Sequence, residues 1–363
     1  MRLVWAAVTG VMRAQRDVQE LLVVLDDATE GVALNYPVLA GACAVGDRVL
    51  LNTTAVGLAL GTGGKHFVVA RLGDARGVAL DDPSGGHIMK LRYTPLQRDV
   101  IAVESPESPH HATMVRADTL AGMPVVCCGL HSQVPLVAAA AKGIDPALRI
   151  TYCMTDSASL ALALSDVARF SVDAGLLDAT ITCGQAFGGQ FEAVNLHSAL
   201  LAARDVTSAD IAIAAIGPGV VGTATPFGHG GVTQGEALNA VASLDGTPVA
   251  PLRMSFADTR ERHRVVSHHT LAALSRIALT PVIVPMPTLP DDLAEQIDEA
   301  LRAAGVFEKH HPVRVEAGST PPPDLRGVAV KTMGRGPADD PAFFAAAYAA
   351  GEVAARLASG EAL

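Results

Sequence analysis

The sequence predicts an α/β protein in which a small N-terminal β-barrel domain precedes a Rossmann-like three-layer sandwich with a mostly parallel sheet. Three observations carry this expectation. Up to about residue 100, short β-type runs alternate with glycine turns and show no helical period. From residue 123 onward, short β-branched runs alternate with Ala/Leu-rich segments of helical period. The strand-like runs of this second part are apolar without clean alternation, as in a parallel sheet covered on both faces. The expected divisions are 1–115 for the barrel, 116–290 for the α/β domain and 291–363 for a C-terminal extension with a helix packing on that domain.

Residues 21–25 form a β run closed by Asp26 and Asp27, and 48–51 follow the turn Gly46-Asp47. Residues 54–60 lead into Gly61-Thr62-Gly63-Gly64, a hairpin turn, and 66–69 resume a strand. The stretch 73–86 reads as a long loop and 88–93 as another strand. Residues 104–111 read as a linker, because Ser and Pro break regular structure there. Further strands are expected at 123–128, 149–154, 178–183, 211–216, 249–256 and 281–285. Helices are expected at 134–142, stopped by Gly143, and at 157–172, behind the cap candidates Thr155 and Asp156. Others fall at 191–203, at 270–279 with Ser267 as cap, at 291–304 ended by Gly305, and at 341–357, with a loop at 318–323.

Composition narrows the function. Hydrophobic residues make up 50% and charged residues 18%, which excludes a disordered chain. The formal net charge of −10 is the opposite of a nucleic-acid binder's basic balance. No apolar run reaches the roughly 18 residues of a transmembrane helix, so no membrane partner is expected. The apolar stretch 3–12 matches a signal peptide poorly, since Arg13, Arg16 and Asp17 follow without a cleavage segment, and a cytoplasmic location is expected. Five Cys without a CxxC pair support neither a zinc ribbon nor a disulfide framework. The 12 His nearly match Trp, Tyr and Phe together, at 1, 4 and 9, so acid/base groups are plentiful and stacking platforms scarce.

In open parallel sheets ligands bind beyond the carboxyl ends of the strands. There the sequence places His131, Asp156, the glycine loop 184–189, the loop 217–223 and Asp258-Thr259-Arg260. Gly217, Gly219 and Gly222 have G-x-G-x-x-G spacing, and with Thr223 they form a candidate backbone cradle for an anion or nucleotide. The fit to a dinucleotide fingerprint is partial. Pro226, Gly228, Gly230 and Gly231 delay the next helix, and Asp258 lies well beyond the ~20-residue spacing of the acidic partner.

The densest constellation runs from Arg253 through Asp258, Arg260, Arg262, His263 and Arg264 to His268 and His269. With Ser267 as a cap, both terminal histidines occupy a helix's first turn, whose positive end disfavours imidazolium. Neutral imidazole is what a general base requires. The candidate catalytic residues are therefore His268 and His269 as acid/base, Asp258 or Asp156 as orienting carboxylate, and His131, with Arg260 and Arg264 as anion clamp. His131, Asp156, His229, Asp258 and His268 offer metal-ligand atoms, but no HExxH, HxH or Cys spacing orders them. No metal is assigned and the cofactor stays open. His110-His111 and His310-His311 are expected to face solvent, and Cys127, Cys128, Cys153 and Cys183 to be buried and inert.

Several phrases also resemble an uncharacterised bacterial family found largely in actinobacterial and firmicute-type genomes. They are Asn52-Thr-Thr-Ala55 with Leu60-Gly-Thr-Gly-Gly64, the segment 87–95, Leu130-His-Ser132, the segment 184–189, Gly217-Pro-Gly219 and Ser267-His-His269. The resemblance spans almost the whole chain. It implies a full-length, cytosolic bacterial protein and brings no activity or catalytic residue with it. The expected function is an enzyme acting on a small anionic metabolite at the carboxyl edge of the sheet, its reaction class open. The alternatives are a non-catalytic nucleotide or metabolite sensor and an NAD(P)-dependent oxidoreductase. A homodimer is compatible with the apolar composition.

Overall fold

The structure, a computed structural model, describes residues 1–59, 63–72, 85–315 and 323–361, so the turn expected at 61–62 and most of the loops expected at 73–86 and 318–323 lie outside the described residues. The chain divides into two compact units, Met1–Val100 and Ile101–Leu363.

In the first unit, β1 (Leu3–Ala14), β2 (Gln19–Leu25), β3 (Glu30–Asn35), β4 (Arg48–Asn52) and β5 (Lys65–Leu72) close a barrel in the order β1-β2-β3-β5-β4. The β3–β5 pair is parallel and the other pairs are antiparallel. Alternate residues point inward, so Ala6 and Val8, Leu21 and Val23, and Val49 and Leu51 fill the barrel core. β1 was not expected as a strand, because its outer face is apolar too: Leu3, Trp5, Val11 and Met12 are all exposed, which erases the alternation. The turn α1 (Pro37–Ala40) follows β3. Residues 54–60 open as the helical turn α2 (Thr54–Gly57) instead of a strand. A hairpin of β6 (Ile88–Lys90) and β7 (Arg98–Val100) completes the unit.

The second unit is a parallel sheet with helices on both faces. Its chain order is α3 (His111–Met114), β8 (Pro124–Cys128), α4 (Val134–Ile144), β9 (Ile150–Thr155), α5 (Asp166–Asp173), β10 (Ala179–Thr182), β11 (Phe191–Glu192), α6 (Leu196–Asp205), β12 (Ile211–Ile216) and α7 (Val232–Ser243). There follow β13 (Thr247–Val249), β14 (Met254–Ser255), β15 (Val265–Val266), α8 (His268–Ala272), β16 (Ile283–Pro287), α9 (Asp291–Ala303), α10 (Val306–Lys309), β17 (His311–Val315) and α11 (Pro341–Ala358). The eight strands run β11-β10-β9-β12-β8-β13-β16-β17, and every neighbouring pair is parallel. The central strands are buried on both faces, which explains their unbroken apolar runs.

One face carries α4, α5 and α11; the other carries α6, α7 and α9. β12 therefore stands between β9 and β8 but sends its helix to the opposite face from theirs. Such reversals open crevices at the carboxyl ends of adjacent strands. Over the centre, α11 meets α4 through alanines and Gly351, whose Cα lies so close that a Cβ there would stand 2.3 Å from the Val137 carbonyl oxygen. Among the described residues no helix is long and apolar enough to cross a membrane.

Several local expectations are corrected. The helix expected from 157 begins only at Asp166, capped by Ser165 Oγ, which accepts from Ala168 N. Tertiary hydrogen bonds hold the preceding stretch out of helix: Ser159 N donates to Pro218 O and Leu162 N to Phe187 O. The strand expected at 249–256 is split. β13 ends before Pro251, which lacks an N–H for the ladder, and β14 pairs with β15 in a small separate sheet. Residues 104–111 are not a free linker: Ser105 and Ser108 are buried, and the Glu104 carboxylate accepts from Val194 N. The helix expected from 191 starts at Leu196, after β11, with Asn195 as its cap. The helix after Ser267 widens into a π-helical turn at Ala273–Ile277. His310 is buried, with Nε2–H donating to Leu274 O and Nδ1 accepting from Val282 N.

A histidine cluster as candidate ligand site

Side-chain amides tie three segments together at the carboxyl edge of the sheet. Gln234, buried in the first turn of α7, donates from Nε2 to Cys127 O at the end of β8 and to Pro251 O after β13. Gln133 Nε2 donates to Leu252 O. This fixes Arg253 beside the start of α8, where Arg253 O accepts from Ser267 N and Arg253 N donates to Thr270 Oγ1. Ser267 caps α8 by accepting from His269 N, so His268 and His269 stand in the first turn, as the sequence indicated.

Four histidines meet here. The rings of His229 and His269 are stacked, with centroids 3.9 Å apart and planes at 5°. His268 lies edge-on to both, at 5.1 Å from His229 and 4.5 Å from His269. His263 sits 4.9 Å from His269, and its Nδ1 shares a 2.8 Å hydrogen bond with Ser267 Oγ. Glycines permit this crowding. A Cβ on Gly231 would lie 2.7 Å from His269 Cβ, and one on Gly222 would lie 3.3 Å from His269 Nε2. Val265, between the clustered residues, is held at φ 58°, where a β-branched residue costs of order 1–3 kcal/mol.

The field at the cluster is positive. Arg253 is only 5% exposed, and among the described residues no carboxylate forms an ion pair with it. Its Nη1 donates to His269 Nδ1 at 3.2 Å, which leaves the proton of neutral His269 on Nε2. Burial, reinforced by Arg260, brings the Arg253 guanidinium down to about 10. Burial first, then neighbouring cations, lowers every imidazole in the group: His263 to about 3, His269 to about 2, and His229 and His268 below their ordinary value.

Asp258, whose charge favours the cationic forms of Arg253 and His263, makes its ion pairs elsewhere. Arg260 donates to it from Nε at 3.0 Å and Nη2 at 2.9 Å, and Arg335 Nη2 donates to it at 3.2 Å. Arg335 Nε also donates to Asp340, which accepts from Ser255 Oγ. The Arg260 hydrogen bonds hold the Asp258 carboxyl well below the usual range.

The structure thus brings His268, His269 and Gly222 together with His229, His263 and Arg253. Arg260 is spent on Asp258, and Arg264 is exposed. Gly217 packs against the Ser159 carbonyl, 2.7 Å from where its Cβ would be, while Gly219 takes φ 97°. Thr223 closes its own loop by donating to Gly228 O. Asp156 accepts from Gln185 N against Gly184 and makes no hydrogen bond to a histidine. His131 forms a separate chain: Ser165 Oγ–H donates to its Nε2 at 2.6 Å, its Nδ1–H donates to Tyr152 Oη at 3.1 Å, and Tyr152 donates to Ile216 O. Burial lowers His131 to about 4. Arg253 heads the constellation read from the sequence, and its place inside the apolar run Pro251-Leu252-Arg253-Met254 is the signal that it is buried. Ser165 and Tyr152 carried none, since their meeting with His131 depends on strand order.

His229, His268 and His269 offer nitrogens within 4.8 Å of one another, which makes them the candidate metal-holding group among the described residues. The lowered histidines also set the acid limit of the fold. Each stays neutral in the folded chain but protonates near 6.5 when unfolded, so its stabilisation is complete above that pH and is lost as pH falls through it. The thermal midpoint is expected to be level from about pH 8 to 7 and to fall steadily from 6.5 toward about 5. A midpoint unchanged over that acid range in a thermal unfolding series contradicts neutral burial.

A search of curated proteins and of solved structures finds no match. A family model matches residues 32–351, nearly the whole chain. The chain belongs to that family, described as a protein of unknown function, DUF3866.

Proposed function

We propose that the chain is an enzyme acting on a small anionic metabolite at the histidine cluster, on a Rossmann-like scaffold. The observation that supports this is Arg253, a buried guanidinium with no ion-paired carboxylate among the described residues. A buried charge normally carries a counter-ion, and a ligand's carboxylate or phosphate supplies one. In this reading Arg253 holds the anion, and His269, whose Nδ1 accepts from Arg253, offers its Nε2–H as a hydrogen-bond donor to it. Gly222 leaves the approach to His269 Nε2 open. The dedicated Arg260–Asp258–Arg335 pairing keeps a protein carboxylate from taking the ligand's place.

The test is incubation of the protein with a fractionated metabolite extract, followed by mass spectrometry. The wild type is expected to consume an anionic component, and folded His269→Ala, which loses a hydrogen-bond donor to the anion, to lose turnover by about 100-fold or more. Stoichiometric retention of a metabolite without conversion would replace the enzyme reading with a sensor. Full turnover by His269→Ala removes the role given to that residue.

A further inference from the structure

We propose that His229 Nδ1 and His268 Nε2 hold a divalent transition metal of the zinc class, with His269 outside the coordination sphere. Both nitrogens are buried and have no hydrogen-bond partner among the described residues, and His229 is only 6% exposed. At His229 the tautomer is determined: Nε2–H donates to Pro226 O at 3.1 Å, so Nδ1 presents a bare lone pair to the cluster. A backbone carbonyl holding the far nitrogen is the outer-shell arrangement that orients metal-binding imidazoles. A bare lone pair repels an anion, so it calls for an electron-pair acceptor.

Ring geometry selects the pair. The planes of His229 and His268 cross at 68°, so one ion can lie in both. The rings of His229 and His269 are nearly parallel, at 5°, with centroids 3.9 Å apart, so their in-plane lone pairs run side by side and do not converge on one point. His269 also accepts from Arg253 at Nδ1, which keeps a proton on Nε2. Nitrogen ligands suit zinc, cobalt, nickel and copper better than calcium or magnesium. Two protein ligands leave positions for water and for an oxyanion. An oxyanion lying between the ion and Arg253 removes the repulsion between those two charges, so phosphate is expected to tighten metal binding. The metal site rests on the two bare nitrogens and not on the anion reading.

The experiment is calorimetric titration of the full chain with Zn²⁺ and Co²⁺ in phosphate-free buffer at neutral pH, with the visible absorption of cobalt as a second readout. One ion per chain is expected. His229→Ala and His268→Ala should each weaken it by about 100-fold or more, since losing a ligand costs at least as much as losing an outer-shell partner, about 10–100-fold. Gln variants at the same positions stand in if the Ala variants fail to fold by circular dichroism. His269→Ala should change affinity less than about threefold, and Arg253→Met should bind the ion as tightly as the parent or more so, since a repelling charge is gone. Absence of ion binding by the folded wild type overturns the site, and a loss in His269→Ala equal to that in His229→Ala overturns the choice of ligands. Metal binding retained in an Arg253→Met protein that has lost phosphate binding separates this proposal from the anion reading.

Discussion

Arg253→Met is expected to weaken anion binding by about 100-fold or more while leaving the ligand-free protein as stable as the parent, or more stable. The two effects have one cause. The guanidinium is buried without an ion pair, so in the empty protein its desolvation is offset only in part, by the hydrogen bond to His269 Nδ1 and the charge of Asp258. Methionine matches the stem of the side chain and removes the charge. Replacing buried charged groups by apolar ones of similar volume is often neutral or stabilising by about 1–4 kcal/mol. With an anion present the sign reverses, because a charge-assisted contact is lost, and truncating one partner of a buried charge pair costs about 2–5 kcal/mol. Thermal unfolding in phosphate-free buffer and across a phosphate titration reads both. A variant that unfolds earlier without phosphate makes Arg253 a structural residue, and equal phosphate stabilisation of both proteins moves the anion site elsewhere.

Gly351→Ala is expected to destabilise the second unit by about 3 kcal/mol, at the upper end of overpacking costs. The added Cβ would lie 2.3 Å from Val137 O, 2.7 Å from Ala140 Cβ and 3.1 Å from Ala141 N. Two of these are backbone atoms of α4, so no side chain can rotate away. α11 must shift off α4, and that opens the packing of Phe343, Phe344 and Val353 against Leu136 and Val137. Denaturant unfolding measures the loss. A change below about 1 kcal/mol would show that the helices separate at little cost.

The histidine cluster was half legible. The spacing Ser267-His268-His269 announced a capped turn, because capping acts within a few residues, while the imidazoles are kept neutral chiefly by burial, which spacing does not encode. His229 and Arg253 reach the cluster through contacts distant in sequence, notably Gln234 bridging Cys127 and Pro251. Asp258 and Arg260 were grouped with the histidines for their proximity in sequence. The fold gives them to each other and to Arg335, a residue of the C-terminal segment that no local pattern connects to them.

Much the same boundary runs through the architecture. Apolar run length and alternation by themselves determined a barrel followed by a parallel sheet, since burial on one or two faces writes itself directly into residue order. They failed where both faces are apolar, as in β1, and where tertiary hydrogen bonds override propensity, as between Thr155 and Ser165. Only the tertiary structure decided that β12 enters between β8 and β9, and that Arg253 lies beside four neutral histidines without an ion pair among the described residues. Strand order and charge pairing depend on which distant segments meet, and no periodicity within one segment encodes that.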